Sequence, residues 1–164
     1  TEPLTPRAFA AFGDVLDASG DADRIINQGL CGRYHDRARL DFGPGGRAGI
    51  SIFKAEPRAL PYRLDMVERH PEGSQAFIPM SGKPYLVVVA PAGAPPKAGD
   101  LKVFLARGDQ GVNYATGVWH HPLLALETVC DFIVIDRSGP GHNCDEIQLD
   151  RPGVIDARVQ QAAD

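Results

Sequence analysis

Two short segments carry histidines beside other residues that can transfer protons or bind a metal ion. They are residues 68–70 (Glu-Arg-His) and residues 117–122 (Gly-Val-Trp-His-His-Pro). Residues two apart in a β-strand project from the same face, so we expect Glu68 and His70 to lie together. Gln75 follows a Pro-Glu-Gly turn and can fold back beside that pair. Imidazole nitrogens with carboxylate or amide oxygens are a suitable ligand set for a divalent transition metal.

The second segment offers two histidines, of which only one can face the interior. Adjacent residues in a strand point to opposite faces, so His120 and His121 must diverge. Tyr114 and the sole tryptophan, Trp119, lie close by in sequence. We predict both as substrate-binding residues in the wall of the same pocket, because aromatic rings supply large apolar surfaces with a polar tip.

A third polar string, residues 33–36 (Arg-Tyr-His-Asp), places a cation, a phenol, an imidazole and a carboxylate in a row. A solvated surface loop would explain this string as well as a functional site would. In the functional reading, Arg33 binds a substrate carboxylate, and Tyr34 or His35 assists proton transfer. We therefore include Arg33 and Tyr34, together with Gln75, among the predicted substrate-binding residues.

Frequent turns indicate the class of fold that positions these segments. The 18 glycines and 14 prolines are spread between short apolar runs, a pattern typical of an all-β barrel or sandwich. Eight strands of this spacing can close into a small barrel. The predicted strands are 50–54, 62–69, 76–80, 85–90, 101–106, 111–114, 123–127 and 129–136.

Three local features refine this prediction. Thr5 is a suitable N-cap and Pro6 a suitable first residue for one short helix ending at Gly13, with Phe9 and Phe12 on one face. Strict alternation over residues 62–69 places Tyr62, Leu64, Met66 and Glu68 on one face and the odd-numbered residues, Arg69 included, on the other. A proline at position 79 indicates an edge strand or a bulge.

Composition limits the class of protein. The 164 residues fit one domain, 1–164, although the tail after about residue 150 has no clear apolar pattern and is expected to be mobile. A net charge of −4 without a basic stripe argues against nucleic-acid binding, and no apolar run is long enough for a membrane helix. Three widely spaced cysteines favour reduced thiols in a cytoplasmic protein. No glycine-rich phosphate loop is present, so no organic cofactor is expected.

The spacing around the two histidine segments resembles the cupin family. The pattern Glu68-x-His70-x4-Gln75-x6-Gly82, followed by Gly117-x2-His120, is similar to the two cupin motifs. The resemblance implies a cupin-like β-barrel, an inward-facing His120, and a metal-ligand set of Glu68, His70, Gln75 and His120. Glu68 stands where cupins have a first histidine, Gln75 where they have glutamate, and Ala115 where they have proline. An amide is a poorer ligand than a carboxylate, so these departures predict weaker metal binding.

A more specific resemblance rests on five strings that occur in order between about residues 9 and 146. They are 26–29 (INQG), 33–36 (RYHD), 68–80 (ERHPEGSQAFIPM), 111–122 (GVNYATGVWHHP), and 131–137 (DFIVIDR) followed by 143–145 (NCD). Together they resemble the ureidoglycolate lyase family. The resemblance implies a homodimer that splits ureidoglycolate into glyoxylate and urea during allantoin degradation. It also implies a divalent metal, nickel being the usual suggestion.

The residues leave some roles open. His120 or Glu68 would serve as the base, and His70 as a metal ligand or as the acid. Arg33 or Arg69 would hold the substrate carboxylate, and Arg33 is favoured because Arg69 alternates away from Glu68. Three other readings compete: another cupin-type enzyme acting on a small acid, a non-catalytic sensor of such an acid, and an inert dimeric structural protein.

Overall fold

The computed structural model describes residues 1–156, which form short strands joined by turns, with one short α-helix and two 3-10 turns. The elements are β1 (Glu2–Pro3), α1 (Pro6–Phe9), β2 (Gly13–Leu16), β3 (Arg24–Ile26), β4 (Cys31–Arg33), β5 (Arg47–Ala55), β6 (Tyr62–Arg69), β7 (Gln75–Pro79), β8 (Tyr85–Ala90), β9 (Lys102–Ala106), β10 (Gly111–Tyr114), β11 (Trp119–His120), β12 (Leu124–Ala125), β13 (Cys130–Ser138) and β14 (Asp145–Ile155). The 3-10 turns are Asn27–Gly29 and Ala98–Asp100.

Two large sheets face each other. A seven-stranded sheet has the order β1-β9-β8-β11-β6-β14, with β12 paired to β8, and a five-stranded sheet has the order β2-β10-β7-β13-β5. Strands β3 and β4 form a separate hairpin-like pair. The predicted all-β, cupin-like fold is therefore confirmed, but the strands form a sandwich of separate sheets and do not close into one barrel.

The main core fills the space between the two sheets. Phe104 and Val87 from the seven-stranded sheet pack with Phe132 and Val112 from the five-stranded sheet. A second cluster, including Val88 and Trp119, lies on the other face of the seven-stranded sheet. Strand β8 contributes to both clusters, which explains why its sequence is a continuous apolar run without alternation.

The N-terminal helix is shorter than predicted. Thr5 caps it, accepting a hydrogen bond from the backbone N–H of Ala8 at 3.1 Å. The helix ends at Phe9, and Gly13 opens strand β2 instead of closing the helix. Strand β2 lies so close to β10 that a Cβ at Gly13 would collide with the carbonyl oxygen of Asn113, so this position requires a glycine. Phe9 and Phe12 nevertheless enter the main core, as predicted.

Most predicted strands are confirmed, within one to three residues at their ends, and two other expectations are wrong. Strand β7 lies in the middle of its sheet, and Pro79 is its last residue, where one fewer donor is tolerated. Residues 151–155 form the end of β14, so the predicted mobility of the tail fails there. Residues 157–164 lie outside the described part of the chain.

The predicted alternation across β6 is interrupted. Leu64 and Val67 lie three apart yet pack in the same cluster, which strict alternation forbids. The pairing of β14 with β6 shifts register in this region, between Gln148 and Gly153. Within residues 1–156, no helix has the length and apolar character required to cross a membrane.

Candidate active site

The two histidine segments meet in the folded chain. Glu68 of β6 and His120 of β11 are directly paired across the seven-stranded sheet. Gly117, in the turn before β11, donates its backbone N–H to the carbonyl oxygen of His70 at 2.9 Å. This turn needs a glycine, because its φ is +78°. The predicted union of the two segments is therefore present in the structure.

Glu68, His70 and His120 form a close group, called here the Glu-His-His cluster. One ligand atom from each side chain lies within 4.8 Å of the other two. The Oε1 atom of Glu68 is 3.5 Å from Nε2 of His120, and the two imidazole centroids are 5.1 Å apart. A separation of 3.5 Å is long for a hydrogen bond, so Nε2 of His120 stays without a partner and the contact is electrostatic.

Backbone carbonyls fix the tautomer of both histidines. Nδ1 of His70 lies 2.7 Å from the carbonyl oxygen of Asn143, and Nδ1 of His120 lies 3.0 Å from that of Val118. A carbonyl oxygen can only accept a hydrogen bond, so each Nδ1 carries the proton. A ring that carries its single proton there presents a lone pair at Nε2, and both Nε2 atoms are buried without a hydrogen-bond partner. Carbonyl-bound Nδ1 is the usual arrangement of metal-binding histidines.

Glu68 is ionised at neutral pH. Burial is the largest influence and by itself raises the pKa of Glu68. The contact with His120, and the positive charge that His120, His70 and His121 carry when protonated, together lower the pKa below its usual value. Glu68 can therefore accept a proton or bind a cation.

Tyr114 covers the cluster from the opposite sheet. Its ring stacks on His120 with centroids 4.4 Å apart and an interplanar angle of 22°. Burial, and then the Glu68 carboxylate, raise the pKa of Tyr114 far above its usual value. The phenol therefore stays protonated and is able to donate a hydrogen bond.

A cavity of about 280 Å³ opens beside Glu68. Its wall is largely apolar and comes from both sheets, with side chains that include Phe53, Phe77, Pro122 and Leu123. Glu68 is the member of the Glu-His-His cluster that lines it, and the Nε2 atoms of the two histidines are closed off from solvent. A small molecule in this cavity would meet Glu68 first.

Gln75 lies on the inward face of β7. It is 5 % exposed, and its backbone pairs with Tyr114 on one side and Asp136 on the other. Its amide Nε2 donates to Oδ2 of Asp136 at 3.0 Å, while its Oε1 is buried without a partner. The structure thus places Gln75 beside Tyr114, a direct neighbour of the Glu-His-His cluster.

Arg33 and Tyr34 do not join this group within the single chain. The Arg33 guanidinium donates to Nδ1 of His35 at 2.8 Å, and the Tyr34 hydroxyl donates to the carbonyl oxygen of Gly20 at 2.8 Å. Arg33 ends β4, whose only strand partner among residues 1–156 is β3.

Trp119, Arg69 and His121 lie on other sides of the strands. Trp119 is buried in the second cluster and donates its indole N–H to Gly93, so its predicted role as a pocket wall beside His120 is corrected: adjacent strand residues face opposite ways. The Arg69 guanidinium lies 4.6 Å from the centroid of the Trp119 ring and pairs with Asp145, which confirms that Arg69 faces away from Glu68. His121 is buried against Tyr62.

Sequence reasoning missed the residues that stand behind the site. Asn143 supplies the carbonyl that orients His70, and its side-chain oxygen accepts the backbone N–H of Glu72 at 2.8 Å. Asp136 orients Gln75. Both residues belong to strings quoted for the family resemblance. Their partners lie more than 60 residues away in sequence, so no local pattern could have predicted these contacts.

Comparisons with known proteins bear on the family of this chain. The family model described as ureidoglycolate lyase matches residues 1–156. A ureidoglycolate lyase of Pseudomonas aeruginosa (strain LESB58) is 55% identical over 146 residues, covering 88% of this chain and 86% of the relative. One from Burkholderia mallei (strain NCTC 10229) is 52% identical, covering 90% and 87%. One from Rhizobium etli (strain CIAT 652) is 52% identical over 156 residues, covering 93% and 92%.

Proposed function

Because this chain belongs to the ureidoglycolate lyase family, we propose that it cleaves ureidoglycolate into glyoxylate and urea in purine-nitrogen degradation, with the Glu-His-His cluster as its reactive centre. The observation that carries the assignment of the centre is the pair of buried, unpartnered Nε2 atoms of His70 and His120, which converge on the ionised Glu68. Leaving such atoms unpaired costs about 1–3 kcal/mol each, so a fold retains them where something binds.

The cluster fits a divalent cation. Two neutral imidazole lone pairs and a carboxylate oxygen are typical ligands of first-row transition metals, and each imidazole is held by a carbonyl behind it. His70, His120 and Glu68 would hold the ion, and Gln75 is proposed as a further, weaker ligand. A divalent cation there would acidify the substrate hydroxyl and hold its carboxylate. Nickel, suggested by the family resemblance, is the first ion to test.

The reaction is an elimination. Ureidoglycolate carries a hydroxyl, a carboxylate and a ureido nitrogen on one carbon. The hydroxyl loses its proton, the carbon–nitrogen bond breaks, the C=O of glyoxylate forms, and the departing nitrogen takes up a proton to give urea. No water is consumed.

Glu68 is the proposed base, because its carboxylate is ionised and faces the cavity, whereas the Nε2 atom of His120 is closed off. The tautomer of His70 supports a role as ligand over a role as acid, since its one ring proton is given to Asn143.

The remaining site assignments are proposals of the same kind. Tyr114 would donate a hydrogen bond to the substrate, because its phenol stays protonated beside Glu68. Arg33, with Tyr34, would bind the carboxylate, although their present contacts are local. The cytoplasmic location inferred from the cysteine content stays a prediction.

The assay for the proposed function uses the purified protein and ureidoglycolate. We expect glyoxylate and urea to appear in equal amounts. Release of ammonia in place of urea would contradict the lyase assignment and indicate an amidohydrolase.

Metal dependence is tested separately. Dialysis against a strong chelator should abolish turnover, and addition of Ni²⁺ or another divalent ion should restore it. Full turnover by protein whose metal content is below one ion per hundred chains would contradict the metal proposal while leaving the lyase proposal intact.

We also propose a homodimer, formed through the outer face of the five-stranded sheet. Ile50 and Ile52 on edge strand β5 are 73% and 59% exposed, and they stand beside Ile135 and Ile133 of β13. An uncharged aliphatic stretch on a long edge strand is usually protected by a partner, because it otherwise promotes aggregation. A second copy offers the same aliphatic face, as a two-fold interface requires.

Sedimentation analysis tests this interface. Ile52→Asp should convert a dimer into a monomer, because a carboxylate would be buried there without a partner. Val154→Asp is the matched control, since Val154 is 70% exposed on the edge strand of the other sheet. A dimeric Ile52→Asp protein would place the interface elsewhere.

A further inference from the structure

Three buried polar atoms of the site residues share one property. Nε2 of His70, Nε2 of His120 and Oε1 of Gln75 are all buried without a hydrogen-bond partner. Each of these atoms offers a lone pair and no proton. The site therefore holds, together with Glu68, a set of acceptors that only a cation or a group of donors can satisfy.

In each of these side chains, the remaining nitrogen donates a hydrogen bond to a protein acceptor. The carbonyl of Asn143 takes the N–H of His70, and the carbonyl of Val118 takes that of His120. For Gln75, Oδ2 of Asp136 takes the amide N–H at 3.0 Å. An ionised carboxylate cannot donate, so the NH₂ end of the amide must turn toward Asp136 and its carbonyl oxygen must turn away.

The register of the sheets places Gln75 next to the Glu-His-His cluster. Gln75 pairs directly with Tyr114 on β10, and both side chains lie on the inward face. The Tyr114 ring in turn stacks on His120. Tyr114 therefore links the two: its backbone pairs with Gln75, and its ring stacks on His120.

No lysine or arginine of the described residues pairs with the carboxylates near this position. Among residues 1–156, neither Glu68 nor Asp136 forms a salt bridge with a lysine or an arginine. The Glu68 carboxylate beside the two imidazoles favours a divalent cation, because a partly buried negative charge needs compensation.

We propose that Asp136 is a positioning residue of this site: by accepting the amide N–H of Gln75, it holds the carbonyl oxygen of Gln75 toward the cation held by Glu68, His70 and His120. This inference rests on the proposed function and deepens it. Asp136 orients Gln75 as the backbone carbonyls of Asn143 and Val118 orient the two histidines. Of these three contacts, only the one from Asp136 is made by a side chain.

Asp136→Asn removes the directional constraint at almost constant shape. An asparagine can donate as well as accept, so the Gln75 amide can reverse and present its NH₂ group, which repels a cation. We expect the affinity for Ni²⁺, measured by calorimetry on metal-free protein, to fall by about 10- to 100-fold, the usual effect of losing an outer-layer contact at a metal site.

Gln75→Glu in the Asp136→Asn background supplies the rescue. Both oxygens of a glutamate are acceptors, so its orientation no longer matters, and the amide introduced at position 136 can donate to it. We expect this double variant to bind Ni²⁺ at least as tightly as the wild type. Asp131→Asn is the control, because Asp131 lies on the same strand but pairs with Lys54. Its Ni²⁺ affinity should be unchanged.

A purely structural role for Asp136 would give a different result. Asp136→Asn would then lower the melting temperature of the metal-free protein, and Gln75→Glu would not restore Ni²⁺ binding. The inference is overturned by that outcome, by an unchanged affinity in Asp136→Asn, or by a wild-type protein that does not bind Ni²⁺. Release of glyoxylate and urea by the same wild-type sample would show that the proposed function holds even where the role of Asp136 fails.

Discussion

Two polar regions, residues 33–36 and the Glu-His-His cluster with its neighbours, look equally promising in the sequence but differ in the fold. In residues 33–36 the polar atoms have protein partners: the Arg33 guanidinium donates to His35, and the His35 backbone N–H donates to Asp23. These side chains are largely exposed. In the cluster, by contrast, the Nε2 atoms of His70 and His120 are buried and unpaired.

The comparison shows that burial without a partner is a better sign of chemistry than polar composition. An exposed polar string costs little folding free energy, because water forms hydrogen bonds with its polar atoms. A buried lone pair without a donor costs about 1–3 kcal/mol, and several of them together would destabilise a marginally stable domain. Their convergence on Glu68 therefore indicates a site, whereas the pairing in residues 33–36 also serves a surface loop.

The largest effect is expected from Glu68→Gln. The amide keeps the shape of the side chain, but it cannot accept the substrate proton and is a poorer ligand for the proposed cation, so kcat should fall by at least about 10²- to 10⁴-fold. Glyoxylate release measures this. Asp65→Asn, an exposed residue on the same strand, is the control and should keep full kcat. If the kcat of Glu68→Gln lay within threefold of the wild-type value, the Glu-His-His cluster would have no better claim to be the reactive centre than residues 33–36.

His121 gives a second, intermediate test, because it sits next to His120 but outside the cluster. Burial, the largest influence, lowers the pKa of His121 below its usual 6.5. The unfolded chain therefore binds a proton more readily, and the free energy of unfolding should decrease as pH falls from 6.5 toward the lowered pKa. Urea unfolding at several pH values measures this slope.

The His121→Gln variant isolates the contribution of this residue. Its free energy of unfolding should depend less on pH in that window than that of the wild type, and above pH 6.5 the His121 contribution should be constant. An identical slope in both proteins would mean that His121 is not the group responsible.

The smallest effect is expected from Arg33→Ala. If Arg33 helps to bind the substrate carboxylate from an exposed position, KM should rise by no more than about fivefold, or roughly 1 kcal/mol, with kcat unchanged. Steady-state kinetics separate the two constants. A large loss of kcat would show that residues 33–36 belong to the reactive centre after all, and would break the comparison.

The sequence was a good guide where the information is local. Strand β6 is found at the predicted residues, and Thr5 caps the predicted helix, because alternation and capping depend on neighbours in the chain. Strand β14 was missed, since its apolar residues do not alternate clearly, Pro152 interrupts it, and it lies at a sheet edge. The closed barrel was wrong because strand number alone does not determine whether the edges of two sheets meet.

By itself the sequence determined the family, the all-β class, and the pairing of Glu68 and His70 on one face near His120, since these follow from motif order and from the two-residue period of a strand. Only the tertiary structure decided what stands behind each site residue. Asn143 behind His70 and Asp136 behind Gln75 are more than 60 residues away along the chain, and they meet their partners because β13 and β14 return beside β7 and β6. Which ring nitrogen carries a proton, and which end of an amide faces the site, depends on those contacts.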